Sequence, residues 1–242
     1  MPIPKIIWQT YDSLKEELPN YIKAISSTWE QSSLEYKYFS NEYAEDFISK
    51  NYNQDLLNIV QYAKIPMVRA DIFRLVMIYE FGGLYADIDT ILLNPVEEWI
   101  DFNKDIFLIE RLYDNFLIKN DLFGFSPKHP IIKEILEEVI FRCKKQIKAK
   151  QEILPTHTGP PVFDFVIKQH DIEYLRNNGL NSEKLQTNYL HIGGLTLKDN
   201  IEFFRYQGSK KFCFEYLNSL YKDIDMDKID IKIYIKKSGY GS

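Results

Sequence analysis

A chain of 242 residues with 45% hydrophobic and 27% charged side chains can build one sizeable core, and this composition excludes a disordered polymer. Its net charge of −5 and pI near 5.5 argue against nucleic acid as the main partner, because gripping a phosphate backbone takes concentrated positive charge. Cys143 and Cys213 lie far apart, which indicates neither a zinc site nor a disulfide framework and fits a reducing compartment.

Residues 3–10 read as a first strand, apolar and bounded by proline. Residues 18–31 follow as an amphipathic helix with Tyr21, Ile22, Ile25 and Trp29 on one face. Residues 36–39 make a second strand, after which Ser40 or Asn41 caps a helix reaching about Lys50. Strand, helix and strand in succession predict an α/β fold with a mostly parallel sheet, whose ligands bind outside the carboxyl ends of the strands.

Residues 64–93 carry the densest signal. Pro66 suits a first helical turn, Val68, Ile72, Leu75, Val76 and Tyr79 recur at helical spacing, and Gly82-Gly83 stops the run. Asp71 and Arg74 lie off that stripe and three residues apart, so they share a face, either as a solvated ion pair or aimed at one ligand. A short strand, Leu84-Tyr85-Ala86, then ends in Asp87-Ile88-Asp89. Two carboxylates one residue apart at the tip of an apolar strand are poorly explained by packing, and they call for a cation.

The run from Arg69 to Thr90 resembles the DXD-containing sugar transferases of glycosyltransferase family 32, and so does the opening IPKIIWQT. The resemblance implies a GT-A-like nucleotide-diphospho-sugar transferase fold over 1–242, with a nucleotide-binding half at 1–93 and an acceptor-binding half with a closing segment at 94–242. It implies that Asp71 and Arg74 contact donor ribose and sugar hydroxyls, and that Asp87 and Asp89 hold ribose and a manganese ion on the diphosphate. The end of the first strand, at Trp8, Gln9 and Thr10, would lie against donor base and ribose, although Trp8 also reads as a core aromatic. Gly83, Tyr85 and Ile88 fall within the same nucleotide-sugar site. Many relatives of this kind carry a membrane anchor. The opening is too short an apolar run for a signal peptide, and no run reaches the roughly 18 residues of a span. The expectation is therefore a cytoplasmic protein of bacterial or viral origin, with or without peripheral membrane association, or a trimmed chain.

Beyond the motif, residues 96–100 read as a turn-helix and 106–110 as a strand. Residues 120–130 run from strand to loop, where Asn120 and Asp121 either meet the acceptor or are merely solvated, and His129 between prolines is a turn residue. Residues 131–150 form an amphipathic helix whose lysine-rich end suits the macrodipole. Thr158-Gly159-Pro160 resembles the family's loop near the active site, with His157 either reaching an acceptor or staying a neutral loop histidine. Family members end on a histidine followed by Gly-Ser-Trp. Here the nearest match, residues 204–210, replaces both His and Trp; Ser209 and Lys210 fall in this closing loop, and Lys210, Lys211 or Arg205 either neutralises diphosphate charge or is part of a solvated basic loop. Residues 228–236 alternate as an edge strand, and Asp223, Asp225 and Asp227 lack the glycine of a calcium loop.

These readings converge on transfer of a sugar from a nucleotide-diphosphate donor, GDP-mannose or a UDP-hexose, to a glycan or other hydroxyl acceptor. Mn²⁺ or Mg²⁺ would sit at Asp87 and Asp89, and Asp89, Asp71 and Arg74 would form the catalytic set. The family resemblance implies retention of anomeric configuration, and since no carboxylate nucleophile is assignable, a same-face attack is favoured. Two alternatives stand beside this: a nucleotide-sugar-binding protein with little turnover, and a phosphatase using Asp87-Ile88-Asp89-Thr90 as DxDxT, for which a downstream GDxxxD is missing.

Overall fold

The structure, a computed structural model, describes residues 1–111, 117–182, 188–191, 196–198 and 201–203. In chain order the elements that position the site are β1 (Ile6–Tyr11), α1 (Asn20–Glu30), β2 (Glu35–Ser40), α2 (Asn41–Asn51), α3 (Gln54–Tyr62), α4 (Pro66–Phe81), β3 (Gly83–Ala86) and β4 (Thr90–Leu92). They are followed by β5 (Ile106–Arg111), β6 (Leu117–Ile118), β7 (Leu122–Phe125), α5 (Pro130–Lys148), α6 (Pro160–Ile167), α7 (Ile172–Asn178), β8 (Leu180–Ser182) and β9 (Tyr189–His191).

Seven strands form a mixed sheet in the order β2-β1-β3-β7-β5-β6, with β8 on β5. The half β2-β1-β3 is parallel, as an α/β reading requires, so Tyr11, Ser40 and Ala86 end at one edge. Strand β7 runs antiparallel to β3 with Leu122 opposite Ala86, and this brings residues 119–121, at its start, to the same edge. Strands β4 and β9 pair separately just beyond it.

Local rules account for most element ends. Ser40 Oγ accepts from the Tyr43 N–H (3.2 Å) and starts α2, and His129 Nδ1 accepts from the Ile131 N–H (3.2 Å) and starts α5. Helix α4 stops at Gly82 and Gly83, with φ of +66° and +100°. A Cβ at Gly83 would lie 2.7 Å from the Ile6 carbonyl oxygen, so only glycine lets the chain turn into β3 this close to β1. Helix α3, not among the elements expected from the sequence, buries Leu56, Ile59 and Val60 at helical spacing. Helix α4 departs from a simple stripe. Val68, Ile72, Leu75 and Val76 are in the core, but Phe73, Met77, Ile78, Asp71 and Arg74 are buried too, since the sheet, α2 and α5 all pack on this helix.

Candidate active site

Asp87, Ile88, Asp89 and Thr90 form a tight turn between β3 and β4, closed by the Thr90 N–H donating to the Asp87 carbonyl (2.9 Å). Ile88 is buried beneath the turn while Asp87 and Asp89 are partly exposed. The two acids therefore leave one turn at the carboxyl edge of the parallel strands.

Behind the turn, Arg74 gathers the charges. Its Nη1 lies 2.9 Å from Asp87 Oδ1 and donates to the Asn120 carbonyl (2.8 Å), and its Nη2 lies 3.2 Å from Asp71 Oδ1. The guanidinium stacks 4.5 Å from the Tyr85 ring centre, and the Tyr85 hydroxyl donates to Asp87 Oδ1 (2.9 Å). Asp71 Oδ2 accepts from Thr158 Oγ1 (2.8 Å) and Oδ1 from Asn120 Nδ2 (3.3 Å). Asp71 and Arg74 are only 3% and 5% exposed, so the solvated ion pair is ruled out and the shared face points inward.

Burial raises the Asp71 pKa above the usual carboxylate range, against the pull of Arg74 and the Thr158 hydrogen bond. Burial works against the Arg74 cation as well, yet Asp87 foremost, with Tyr85, Asp71 and Asp89, raises its pKa, and it stays charged. Tyr85 is raised by burial, with Asp87 adding to it and Arg74 opposing. Among the described residues the carboxylates of Asp87, Asp71 and Asp89 all act on the Arg74 guanidinium, at the edge where a cation would sit.

Other residues read as site candidates fall into three groups. Gly159 joins the network, for a Cβ there would stand 3.3 Å from Asp71 Oδ2, and the Asp121 carbonyl accepts from the Asp87 N–H (2.8 Å). Lys119 stands 3.8 Å from the Asp121 carboxylate and 3.5 Å from the Tyr189 hydroxyl.

Trp8, Gln9 and Thr10 lie behind the site instead of lining it. The Trp8 indole N–H donates to the Gly82 carbonyl (2.9 Å), Gln9 Nε2 to the Asp87 carbonyl (3.1 Å) and Thr10 Oγ1 to the Phe39 carbonyl (3.0 Å). All three are buried because β1 is the middle strand of the parallel half. His157 is likewise outside the network. Its Nδ1 accepts from the Leu154 N–H (2.9 Å), and burial and Arg142 lower its pKa, which makes it a neutral turn residue.

Ser209, Lys210, Arg205, Lys211 and the alternating run 228–236 lie outside the described residues. Thr158 supports the site from the loop its sequence already pointed to, whereas Trp29, Thr90 and Tyr36 support it without having been site candidates. Of these three only the polar Thr90, directly after the acidic pair, carries a local signal.

Paired carboxylates on one turn are hard oxygen donors of the kind Mn²⁺ and Mg²⁺ take. Among the described residues no third acid, histidine or cysteine completes a cage. Asp87 Oδ1 is already engaged by Arg74 and Tyr85, so the set fits an ion that takes the rest of its shell from a diphosphate and water.

A mixed sheet with the acidic turn at its parallel edge defines the GT-A class of glycosyltransferase fold. The PaToxG glycosyltransferase shares this fold, with a TM-score of 0.53 at 19% identity, over 73% of this chain and 72% of that one. Residues 4–105 match the family described as glycosyltransferase sugar-binding region containing DXD motif.

The initiation-specific alpha-1,6-mannosyltransferase of Candida albicans is 33% identical over 116 residues, which are 46% of this chain and 30% of that protein. The mannosyl phosphorylinositol ceramide synthase SUR1 of Saccharomyces cerevisiae is 29% identical over 179 residues, 73% of this chain and 45% of that one. The chain thus spans less than half the length of either relative. These relatives overturn the expectation of a bacterial or virus-encoded cytoplasmic protein, because they are yeast enzymes. Among the described residues no helix is long and apolar enough to cross a membrane. The DxDxT phosphatase reading falls with the GT-A fold.

Proposed function

We propose that this chain transfers a hexosyl group from a nucleotide-diphosphate sugar to a hydroxyl of a glycan or glycoconjugate, with Mn²⁺ or Mg²⁺ held at Asp87 and Asp89. One observation carries the reading. The Asp87–Asp89 turn stands at the carboxyl edge of three parallel strands and is tied through Arg74 to the buried Asp71. Both yeast relatives are named for mannosyl transfer, which favours mannose as the sugar and GDP-mannose over a UDP-hexose as donor.

When bound, the cation supplies Lewis-acid stabilisation of the departing diphosphate. The chain's own part is positioning. Arg74 fixes the Asp87 carboxylate and keeps the wall behind the donor sugar charged, while Asp71, steadied by Thr158 and Asn120, orients the sugar hydroxyls. In a retaining, same-face course the bond from the anomeric carbon to the diphosphate oxygen breaks. The acceptor oxygen bonds to the same face, and its proton passes to the leaving phosphate.

The experiment is release of nucleoside diphosphate from GDP-mannose and UDP-hexoses with Mn²⁺, alongside a thermal-shift screen of the same donors. Mn²⁺-dependent release that disappears in Asp89→Ala supports the proposal. A melting point unmoved by every donor, with and without Mn²⁺, removes donor binding.

A further inference from the structure

The turn bearing Asp87 and Asp89 is held from behind by buried side chains. The Asp87 carbonyl accepts from the Thr90 N–H (2.9 Å), from Thr90 Oγ1 (2.6 Å) and from Gln9 Nε2 (3.1 Å). Having given its one proton to that carbonyl, the Thr90 hydroxyl accepts from the Trp29 indole N–H (3.1 Å), which also reaches the Thr90 carbonyl (3.0 Å). The Tyr36 hydroxyl donates to Gln9 Oε1 (3.1 Å), and this leaves the amide nitrogen of Gln9 facing Asp87. One residue before Trp29, Thr28 Oγ1 accepts from the Leu92 N–H (3.0 Å), so the end of α1 grips β4 as well as the turn. Trp29, Thr90 and Gln9 are each 0% exposed.

Packing alone does not ask for this arrangement. The turn is already closed by its backbone hydrogen bond, and a buried carbonyl is satisfied by one or two partners. The further donors restrain rotation of the peptide after Asp87, the plane that sets the directions in which Asp87 and Asp89 leave the turn. Groups just outside a metal's ligands commonly act in this way.

We infer that Trp29, acting through the Thr90 hydroxyl, is a positioning residue that fixes the relative placement of the Asp87 and Asp89 carboxylates. The inference deepens the proposed function and rests on its cation for what that placement serves. Trp29 touches neither donor nor cation, and it limits the turn to the geometry in which both acids face one ion.

The test is Mn²⁺ titration with GDP or UDP present, following the free aquo ion by electron paramagnetic resonance, on wild type, Trp29→Phe, Thr90→Val and Thr90→Ser. Amide hydrogen exchange across residues 85–92 is measured on the same proteins. Trp29→Phe and Thr90→Val weaken Mn²⁺ binding about 10- to 100-fold and quicken exchange in the turn, with the rest of the sheet unchanged. Thr90→Ser keeps the hydroxyl and behaves as wild type, a rescue that a general packing defect would not show. Thr90→Val, the smaller change, decides the matter if Trp29→Phe does not fold. Wild-type Mn²⁺ affinity and wild-type exchange in a folded Thr90→Val overturn the inference. A wild type that binds no Mn²⁺, with the exchange difference intact, removes the cation from the proposed function and leaves the hold of Trp29 on the turn supported.

Discussion

Helices α4 and α5 pack against each other and both open on a proline, yet they dispose of their charges in opposite ways. Along α5 the charges pair on the surface, Lys133 with Glu137 and Arg142 with Glu138, and the lysines of the last turn meet the helix dipole in solvent. Along α4, Asp71 and Arg74 are three residues apart, as a surface pair would be, but both are buried and their partners come from the turn after β3, the residues just before β7 and the loop before α6. Burying a charge costs several kcal/mol, so a helix that retains such a pair beneath an acidic turn does so for the turn. The same spacing thus means different things on the two helices, and burial tells them apart.

The largest effect expected from breaking this contrast is at Arg74. Arg74→Ala leaves Asp71 and Asp87 without their cation and destabilises the fold by about 3–5 kcal/mol, read as a lower midpoint in urea denaturation. Arg74→Lys recovers only part of that. An ammonium cannot meet Asp71, Asp87 and the Asn120 carbonyl at once, and it does not stack on Tyr85 as a guanidinium does. An Arg74→Ala protein as stable as wild type would mean that the buried network carries no structural weight.

Asp89 separates the turn from the network behind it. Asp89→Ala lowers Mn²⁺-dependent release of nucleoside diphosphate by about 10²–10³-fold, the scale on which a preorganised group stabilising a departing anion acts. Its melting temperature stays close to wild type, because Asp89 is partly exposed. Equal losses of stability in Asp89→Ala and Arg74→Ala would erase the distinction between the face of the site and its support.

Asp71 makes the contrast visible in pH. Its pKa is raised in the folded state, chiefly by burial, so the native protein holds this proton more tightly than the unfolded chain does. The stability so gained is fully present below the ordinary value of 3.8 and is lost as pH rises through the higher folded-state value. Stability of wild type relative to Asp71→Asn should therefore fall as pH climbs from about 4, in urea denaturation run at several pH values. A difference that does not vary with pH would mean that Asp71 titrates as it does in the unfolded chain.

What the sequence disclosed follows the reach of each rule. Ser40 as a cap, Pro66 as a start, Gly82-Gly83 as a stop and the pairing of Asp71 with Arg74 are set by neighbours within a few residues, and all are legible. The partners of Asp71 are not, since Thr158 stands 87 residues away and Asn120 49, and only tertiary packing brings them in. Gln9 shows the same limit. Alternation puts it on a strand, but it turns inward to the Asp87 carbonyl because the turn folds over that face, the one on which Ile7 packs with Trp29 of α1. The run containing Leu56, Ile59 and Val60 carries a readable helical period, with Asn53 as its cap, so α3 is set by local rules as well. The yeast affinities of the chain lay outside any local rule.

The smallest effect belongs to α5, and it keeps the comparison honest in the other direction. Arg142 and Glu138 are a 2.7 Å pair one turn apart, shorter than either contact of Arg74 with a carboxylate, and a count of ion pairs would rank it above them. Both side chains remain about a fifth exposed, where water and salt compete, so Glu138→Ala should cost only about 0.3–0.5 kcal/mol and fade further at high salt. Arg142 keeps its stacking on Phe165, 5.0 Å from the ring centre, after its carboxylate partner is gone. Urea denaturation of Glu138→Ala at low and high ionic strength reads this directly. A loss near that of Arg74→Ala would show that pair length, rather than burial, ranks the charges of these two helices.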